Sequence, residues 1–341
     1  MIRSPARDPW GRDLAGTLHE LTFESEALRG NPLGDPSSRP LLVYTPPGWP
    51  DGGPYPAVWS LQGLTGQVDM WRNRDPYGTT FVEDVDRLIE AGECPPVVVP
   101  LPDCWTAYGG AQFIDSEGTG RYMTYLCDEL VPFVDERFGT LAAPESRAAQ
   151  GKSSGGYGAL VIAMLRPDVW GGLGDVSGDA GFEYCYLPEF PPAWAVLREH
   201  DSIEAFWSAV LDKPRPSHAE MAAINVIAMA ACYSPGPAGE PQLPFDMEDG
   251  TVIDEVWQHW LAWDPVRMLP DHLEALRGAR AISLECGLQD EYNLYAGTTM
   301  LHRRLDEAGI PHRFELFQGK HGGIKHRYAP LVAWLAERLA R

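Results

Sequence analysis

The chain has 341 residues, 44% of them hydrophobic and 22% charged, which fits a globular α/β unit with an insertion and excludes a disordered chain. Its 48 acidic residues against 27 basic ones leave a net charge of −21 with no acidic tail, so nucleic acid and anionic membranes are excluded as partners. The six cysteines form no C-x-x-C pair and no metal-type spacing, and no apolar run of about 18 residues occurs. Free thiols, a cytoplasmic location and no metal or organic cofactor are therefore expected, with the formation of a homo-oligomer left open.

In chain order, short apolar runs at 41–44, 57–61, 97–101, 147–150, 172–176, 281–285 and 313–317 read as buried strands. Segments 79–91 and 122–138 carry apolar residues at helical spacing, and Gly92 and Gly139 follow them as stops. Strands alternating with helices predict a mostly parallel central sheet with helices on both faces and a ligand site at the strands' carboxyl ends. The rhythm breaks over residues 184–264, rich in Pro, Trp and Met. This segment is expected to be an inserted helical cap, with 1–183 and 265–341 forming the catalytic core. Trp257, Trp260 and Trp263 recur every third residue and share a helical face, which either packs the cap on the core or walls a pocket.

Gly151-Lys152-Ser153-Ser154-Gly155 joins the strand at 147–150 to a helical pattern. Glycines at both ends of G-x-S-x-G let strand and helix approach closely while the serine projects from a strained turn, so Ser153 is the candidate nucleophile. Gly-Lys-Ser also ends a phosphate-binding loop, but that loop needs a glycine where Ser146 stands. A serine needs a base, and the base needs an acid that fixes its tautomer. Asp290, after the strand at 281–285, and the glycine-flanked His321, after the strand at 313–317, supply them in the order serine, acid, histidine. Glu285 should lie inside its strand, and His302, His312 and His326 read as surface residues. The N–H groups of Leu64, in the loop after 57–61, and of Ser154 are the candidate oxyanion donors. Trp71, Arg72, Arg74, Trp105 and Tyr108 follow strand ends, and Trp71, Trp105 and Tyr108 are the candidate substrate-binding residues.

With these motifs in place the chain resembles the esterase D and enterochelin esterase branch of the α/β-hydrolases, which also includes the mycolyltransferases. The similar stretches are Gln62-Gly-Leu-Thr-Gly, Pro102-Asp-Cys-Trp, Gly151-Lys-Ser-Ser-Gly-Gly-Tyr-Gly-Ala-Leu, Cys286-Gly-Leu-Gln-Asp290 and Gly319-Lys-His321. The resemblance implies an α/β-hydrolase fold and a serine esterase that acts on a small-molecule ester or acyl substrate through an acyl-enzyme, with Ser153, Asp290 and His321 as its triad. An acyltransferase or an amidase would use the same residues, and a binding protein on this fold is the non-enzymatic alternative. Gln62 stands where many relatives carry His, and Lys152 where His or Leu is frequent; Lys152 is expected to face solvent or to pair with an acid.

Overall fold

A computed structural model describes residues 13–74 and 78–340. Its centre is a set of five strands, four of them buried along nearly their whole length and the fifth, at the edge, partly exposed. β3 (Ala57–Leu61), β5 (Arg147–Lys152), β6 (Gly172–Val176), β7 (Ala281–Gly287) and β8 (Arg313–Phe317) lie parallel in the order β8-β7-β6-β5-β3. Successive side chains on a strand point to opposite faces, and the two faces build separate cores. Trp59 and Ala149 lie in one, Val58 and Ala148 in the other.

β1 (Thr17–Glu24), β2 (Ser38–Thr45) and β4 (Val99–Pro102) form an antiparallel set in the order β1-β2-β4. The bonds Val58 N–H to Val98 O and Val98 N–H to Pro56 O, both 3.0 Å, join this set to β3. The eight strands thus form one sheet, in which β2 runs against its neighbours. β1 is a strand that apolar-run reading does not find. It is an edge strand whose residues alternate in exposure, so its sequence, TLHELTFE, never becomes uniformly apolar.

Both expected helices form. α1 (Phe81–Glu90) begins at a capping box in which the Thr80 hydroxyl accepts from Glu83 N–H and the Glu83 carboxylate accepts from Thr80 N–H. The helix starting at Tyr122 widens to π geometry over Tyr125–Leu130 and continues as α2 (Val131–Phe138). Pro132 lacks the N–H that a regular turn needs there, which accounts for the widening. Gly139 ends it with φ 63°. α3 (Ser154–Leu165) is buried along nearly its whole length against the sheet, and α9 (Tyr328–Leu339) covers the other face beside α1.

Residues 184–264 contain α4 (Phe190–Leu197), α5 (Ile203–Leu211), α6 (His218–Tyr233) and α7 (Asp254–Leu261), followed after β7 by α8 (Leu294–Glu307). Their apolar residues join the same core as α3, through rings of Tyr157, Phe182, Tyr186, Tyr233 and Trp260 packed 4.6–6.4 Å apart. Of the two roles open to the tryptophan stripe, packing is the observed one for Trp257 and Trp260. Both are buried against Phe190, and the Trp260 indole N–H donates to Ser234 Oγ at 2.8 Å. Trp263, beyond the end of α7, is half-buried against the same core. All six cysteines are buried and free, and no helix among the described residues is long and apolar enough to cross a membrane.

One buried charge carries a stability prediction. Asp175 on β6 is 1% exposed, and neither carboxylate oxygen meets a donor at ordinary hydrogen-bond geometry. Its neighbours are bare backbone: a Cβ on Gly156 or on Gly178 would lie 2.3 Å from Asp175 Oδ1. Burial pushes its pKa up to about 8, opposed by Gly178 N–H and reinforced by Asp179 and Glu285. The folded chain therefore keeps a proton that the unfolded chain releases near pH 4, so unfolding gains as pH rises between these values. The stability from the bound proton is complete below about 4 and is lost as pH climbs through about 8. Asp175→Asn removes the linkage. Its melting temperature should match wild type at the acid end of that window and exceed it by several degrees at the alkaline end; equal gaps at both ends would refute the protonated carboxyl.

Candidate active site

The register of the parallel strands brings the candidate residues to one edge. Leu61 pairs with Gly151, Lys152 with Val176, Val176 with Glu285, and Gly287 with Phe317. The segments that follow, at 62–66, 153–154, 177–179, 288–292 and 318–321, therefore emerge side by side at the carboxyl ends.

Ser153 sits between β5 and α3 with φ 58° and ψ −129°, a conformation that costs a non-glycine residue energy and turns its hydroxyl out of the sheet. The turn closes because its flanks lack side chains. A Cβ on Gly151 would meet Gly155 O at 2.5 Å, and one on Gly155 would meet Leu61 O at 2.3 Å. His321 Nε2 lies 3.1 Å from Ser153 Oγ, and His321 Nδ1 lies 2.8 Å from Asp290 Oδ2. The Asp290 side chain is fully buried and its Oδ1 accepts from Tyr292 N–H at 2.9 Å. Backbone bonds stitch the loops carrying Asp290 and His321 together: Leu288 N–H to Phe317 O and Gln289 N–H to Gly319 O, each 2.9 Å. The Tyr292 ring stands edge-on to the imidazole at 4.8 Å, and Glu291 Oε2 accepts from His321 N–H at 3.0 Å. The three residues predicted from chain order are thus brought together.

Leu64 and Ser154 line the same pocket, of about 220 Å³, as Ser153 and His321. Ser154 is the first residue of α3, so its N–H has no intrahelical partner. Thr65 N–H is already bonded to Gly109 O at 2.7 Å, whereas no acceptor among the described residues meets Leu64 N–H. Gln62, 3% exposed, fixes this loop, its amide nitrogen donating to Pro102 O at 3.0 Å and its amide oxygen accepting from Cys104 N–H at 2.6 Å. That anchoring explains an amide at this position.

The remaining candidates separate. Trp71 is 2% exposed and packs on Phe81 and Tyr328. It borders a cleft on the far side of Lys152 and His321 and does not line the pocket over Ser153. Arg72 pairs with Glu20 and Asp69, and Arg74 with Glu83, so neither lines the pocket. Trp105 and Tyr108 border a larger groove of about 730 Å³ that shares Thr65 and Met221 with the Ser153 pocket. Lys152 does not simply face solvent: it is half-buried between pocket and cleft, makes no ion pair among the described residues, and has its pKa lowered by burial against the pull of Asp290, Asp179 and Glu291. Glu285 is buried in β7 and paired with Arg327 at 2.6 Å and Arg313 at 3.1 Å. His302 and His312 are not the isolated surface residues their sequence suggests. Their rings meet at 2.7 Å, and His302 stacks on Phe314 at 3.9 Å.

Two pocket features escape sequence reading. Asp179 follows the strand at 172–176 as closely as Asp290 follows its own, a signal that could have found it, and it lines the pocket beside Ser154. Met221 and Asn225 arrive from the first half of α6, where nothing local marks them.

A family model described as "Putative esterase" matches residues 36–330. An endo-1,4-beta-xylanase/feruloyl esterase of Xylanibacter ruminicola is 26% identical over 211 residues, 55% of this chain and 25% of that protein. The chain spans 25%, 59% and 48% of the length of three curated relatives it matches. Among solved structures, a ferulic acid esterase superposes with a TM-score of 0.60 at 17% identity, covering 95% of this chain and 100% of that one. An S-formylglutathione hydrolase from Agrobacterium tumefaciens superposes with a TM-score of 0.58 at 16% identity, covering 96% and 98%. These likenesses establish the α/β-hydrolase fold.

Proposed function

The chain belongs to the esterase family, and on that premise we propose that it is a serine hydrolase that cleaves a carboxylic ester or related acyl bond. The observation that carries the reading is the continuous line from Asp290 through His321 to Ser153, with contacts of 2.8 and 3.1 Å. Buried Asp290 holds the imidazole with Nδ1 protonated, which leaves the Nε2 lone pair facing the serine hydroxyl. His321 takes the proton as Ser153 Oγ attacks the carbonyl carbon, and the N–H groups of Leu64 and Ser154 receive the charge that forms on its oxygen. Collapse expels the alcohol, which leaves with the proton from His321. Water, deprotonated by the same nitrogen, then releases the acid and restores Ser153.

Residues 184–264 act in this scheme as a cap that sets substrate choice, because Cys185, Tyr186, Met221 and Asn225 wall the pocket. The adjoining groove is apolar, with Trp105, Tyr108, Trp207 and Ile224 along it, and takes the distal hydrophobic part of the ester. Tyr108 and Trp207 pack edge to face at 5.1 Å in its wall.

An organophosphonate should label Ser153 and no other serine, located by peptide mass spectrometry. Labelling of Ser154 or Ser177 with Ser153 untouched would sink the assignment. A panel of esters, thioesters and amides, with and without an added acceptor alcohol, separates hydrolysis from acyl transfer and amide cleavage. Absence of both label and turnover would leave only a binding role.

A further inference from the structure

The Ser153 pocket contains a carboxylate for which the chemistry above has no use. Asp179 is 8% exposed and lines the pocket together with Ser153, Ser154 and His321. Its Oδ2 accepts from Gln112 Nε2 at 3.1 Å, Tyr186 OH at 3.0 Å and Ser154 Oγ at 3.3 Å. Gln112 is fully buried in a left-handed conformation, φ 52°, and its Nε2 is also 2.8 Å from Tyr233 OH. Neutral donors thus lock one oxygen. Asp179 Oδ1 accepts no hydrogen bond among the described residues and is not sealed off from the cavity.

No lysine or arginine among the described residues pairs with this carboxylate. Lys152, the nearby cation, feels Asp290, Asp179 and Glu291 at a distance without forming an ion pair with any of them. Burial raises the Asp179 pKa against the pull of its three donors and of His321, so with no ion pair its ionised form is costly. A negative charge bonded to the Ser154 side chain also opposes the charge that must form on the substrate oxygen at Ser154 N–H. One event removes both penalties: arrival of a cation at Oδ1 with the substrate. The net charge of −21 draws cations toward the molecule in any case, and a pocket of about 220 Å³ suits an acyl group of amino-acid size.

We propose that the pocket selects esters whose acyl group carries a protonated amine, bound by Asp179 Oδ1 while Ser153 attacks the neighbouring carbonyl. This rests on the ester-cleaving reading and names its substrate class.

The test compares methyl esters of alanine, isobutyrate and lactate, which place an ammonium, a methyl or a hydroxyl at the same position, just below the α-amino pKa of about 7.7–8.0. Wild type should favour the alanyl ester over the isobutyryl ester in kcat/KM by about 10- to 100-fold, the contrast that a charge-assisted hydrogen bond supplies. Asp179→Asn, which keeps shape and removes charge, should erase the preference, bringing the ratio of alanyl to isobutyryl kcat/KM to about 1. A preference absent in wild type, or surviving in Asp179→Asn, overturns the assignment. So does equal preference for lactate, which would mean hydroxyl recognition, or a gain only when the amine is on the alcohol side. Should the variant fail to fold, wild type alone decides: ethylammonium must compete with the label at Ser153 where ethanol does not, and equal effects of the two overturn the proposal. Binding of alanine methyl ester to Ser153→Ala by calorimetry keeps the two readings apart. Binding without wild-type turnover defeats the esterase reading and spares ammonium recognition; turnover of neutral esters without such binding does the reverse.

Discussion

Ser153→Ala should lower kcat on any ester substrate by about four to six orders of magnitude, leaving only what substrate binding and the oxyanion donors supply. The loss is this large because the hydroxyl is the atom that bonds to the acyl carbon, and His321 then has no aligned nucleophile at 3.1 Å to deprotonate. The fold should hardly notice. Among the described residues Ser153 Oγ has one hydrogen-bond partner, His321, and the backbone bonds of the turn, Ser153 N–H to Val176 O and Tyr157 N–H to Ser153 O, use no side-chain atom. Alanine keeps the Cβ, so the φ of 58° is no worse accommodated than before. Steady-state rates beside a thermal melt check both halves. A variant that retains more than about a hundredth of wild-type kcat with an unchanged melt would place the nucleophile elsewhere.

Gly155→Ala is expected to damage both the fold and the site. Its Cβ would lie 2.3 Å from Leu61 O, 2.8 Å from Leu61 C and 2.9 Å from Gln62 O. These are backbone atoms of β3 and of the loop that carries Leu64, and no rotamer change moves them. The end of β3 and the start of α3 must separate, which costs about 3 kcal/mol and pulls the Leu64 N–H away from the Ser154 N–H. A displacement of about 1 Å at such a site costs about 100-fold in rate. Gly278→Ala is the matched control, since that residue has an ordinary helical φ of −78° and its nearest neighbour would be 3.6 Å away. Denaturant unfolding and kcat/KM on one ester should separate the two variants clearly. If Gly155→Ala unfolds and turns over like wild type, close approach of strand and helix is not what the glycine is for.

These two expectations differ in what they draw on. Ser153 as candidate nucleophile is legible without coordinates, because a serine between glycines after an apolar run is a local pattern, and Asp290 and His321 follow from chain order and from their places just past strands. The runs at 41–44, 57–61, 97–101 and 281–285 are legible for a related reason: a strand buried on both faces is largely apolar, and that requirement is written into consecutive residues. β1 was not, since an edge strand needs only alternation, which its polar residues mask.

What only the tertiary structure decides is what shares a cavity. Asp179 belongs with Gln112, Tyr186 and Tyr233, residues 67, 7 and, counted from Gln112, 121 positions apart along the chain. No periodicity connects them. Lys152 lies half-buried between the pocket and the neighbouring cleft, and Trp71 is taken out of the pocket by Phe81 and Tyr328. Trp257 and Trp260 are spent on packing because α4 and α6 present rings to that face. Backbone form is set by neighbours in sequence and therefore shows in the sequence, whereas the chemistry of a pocket wall is set by which distant segments close over it, and that depends on the whole fold.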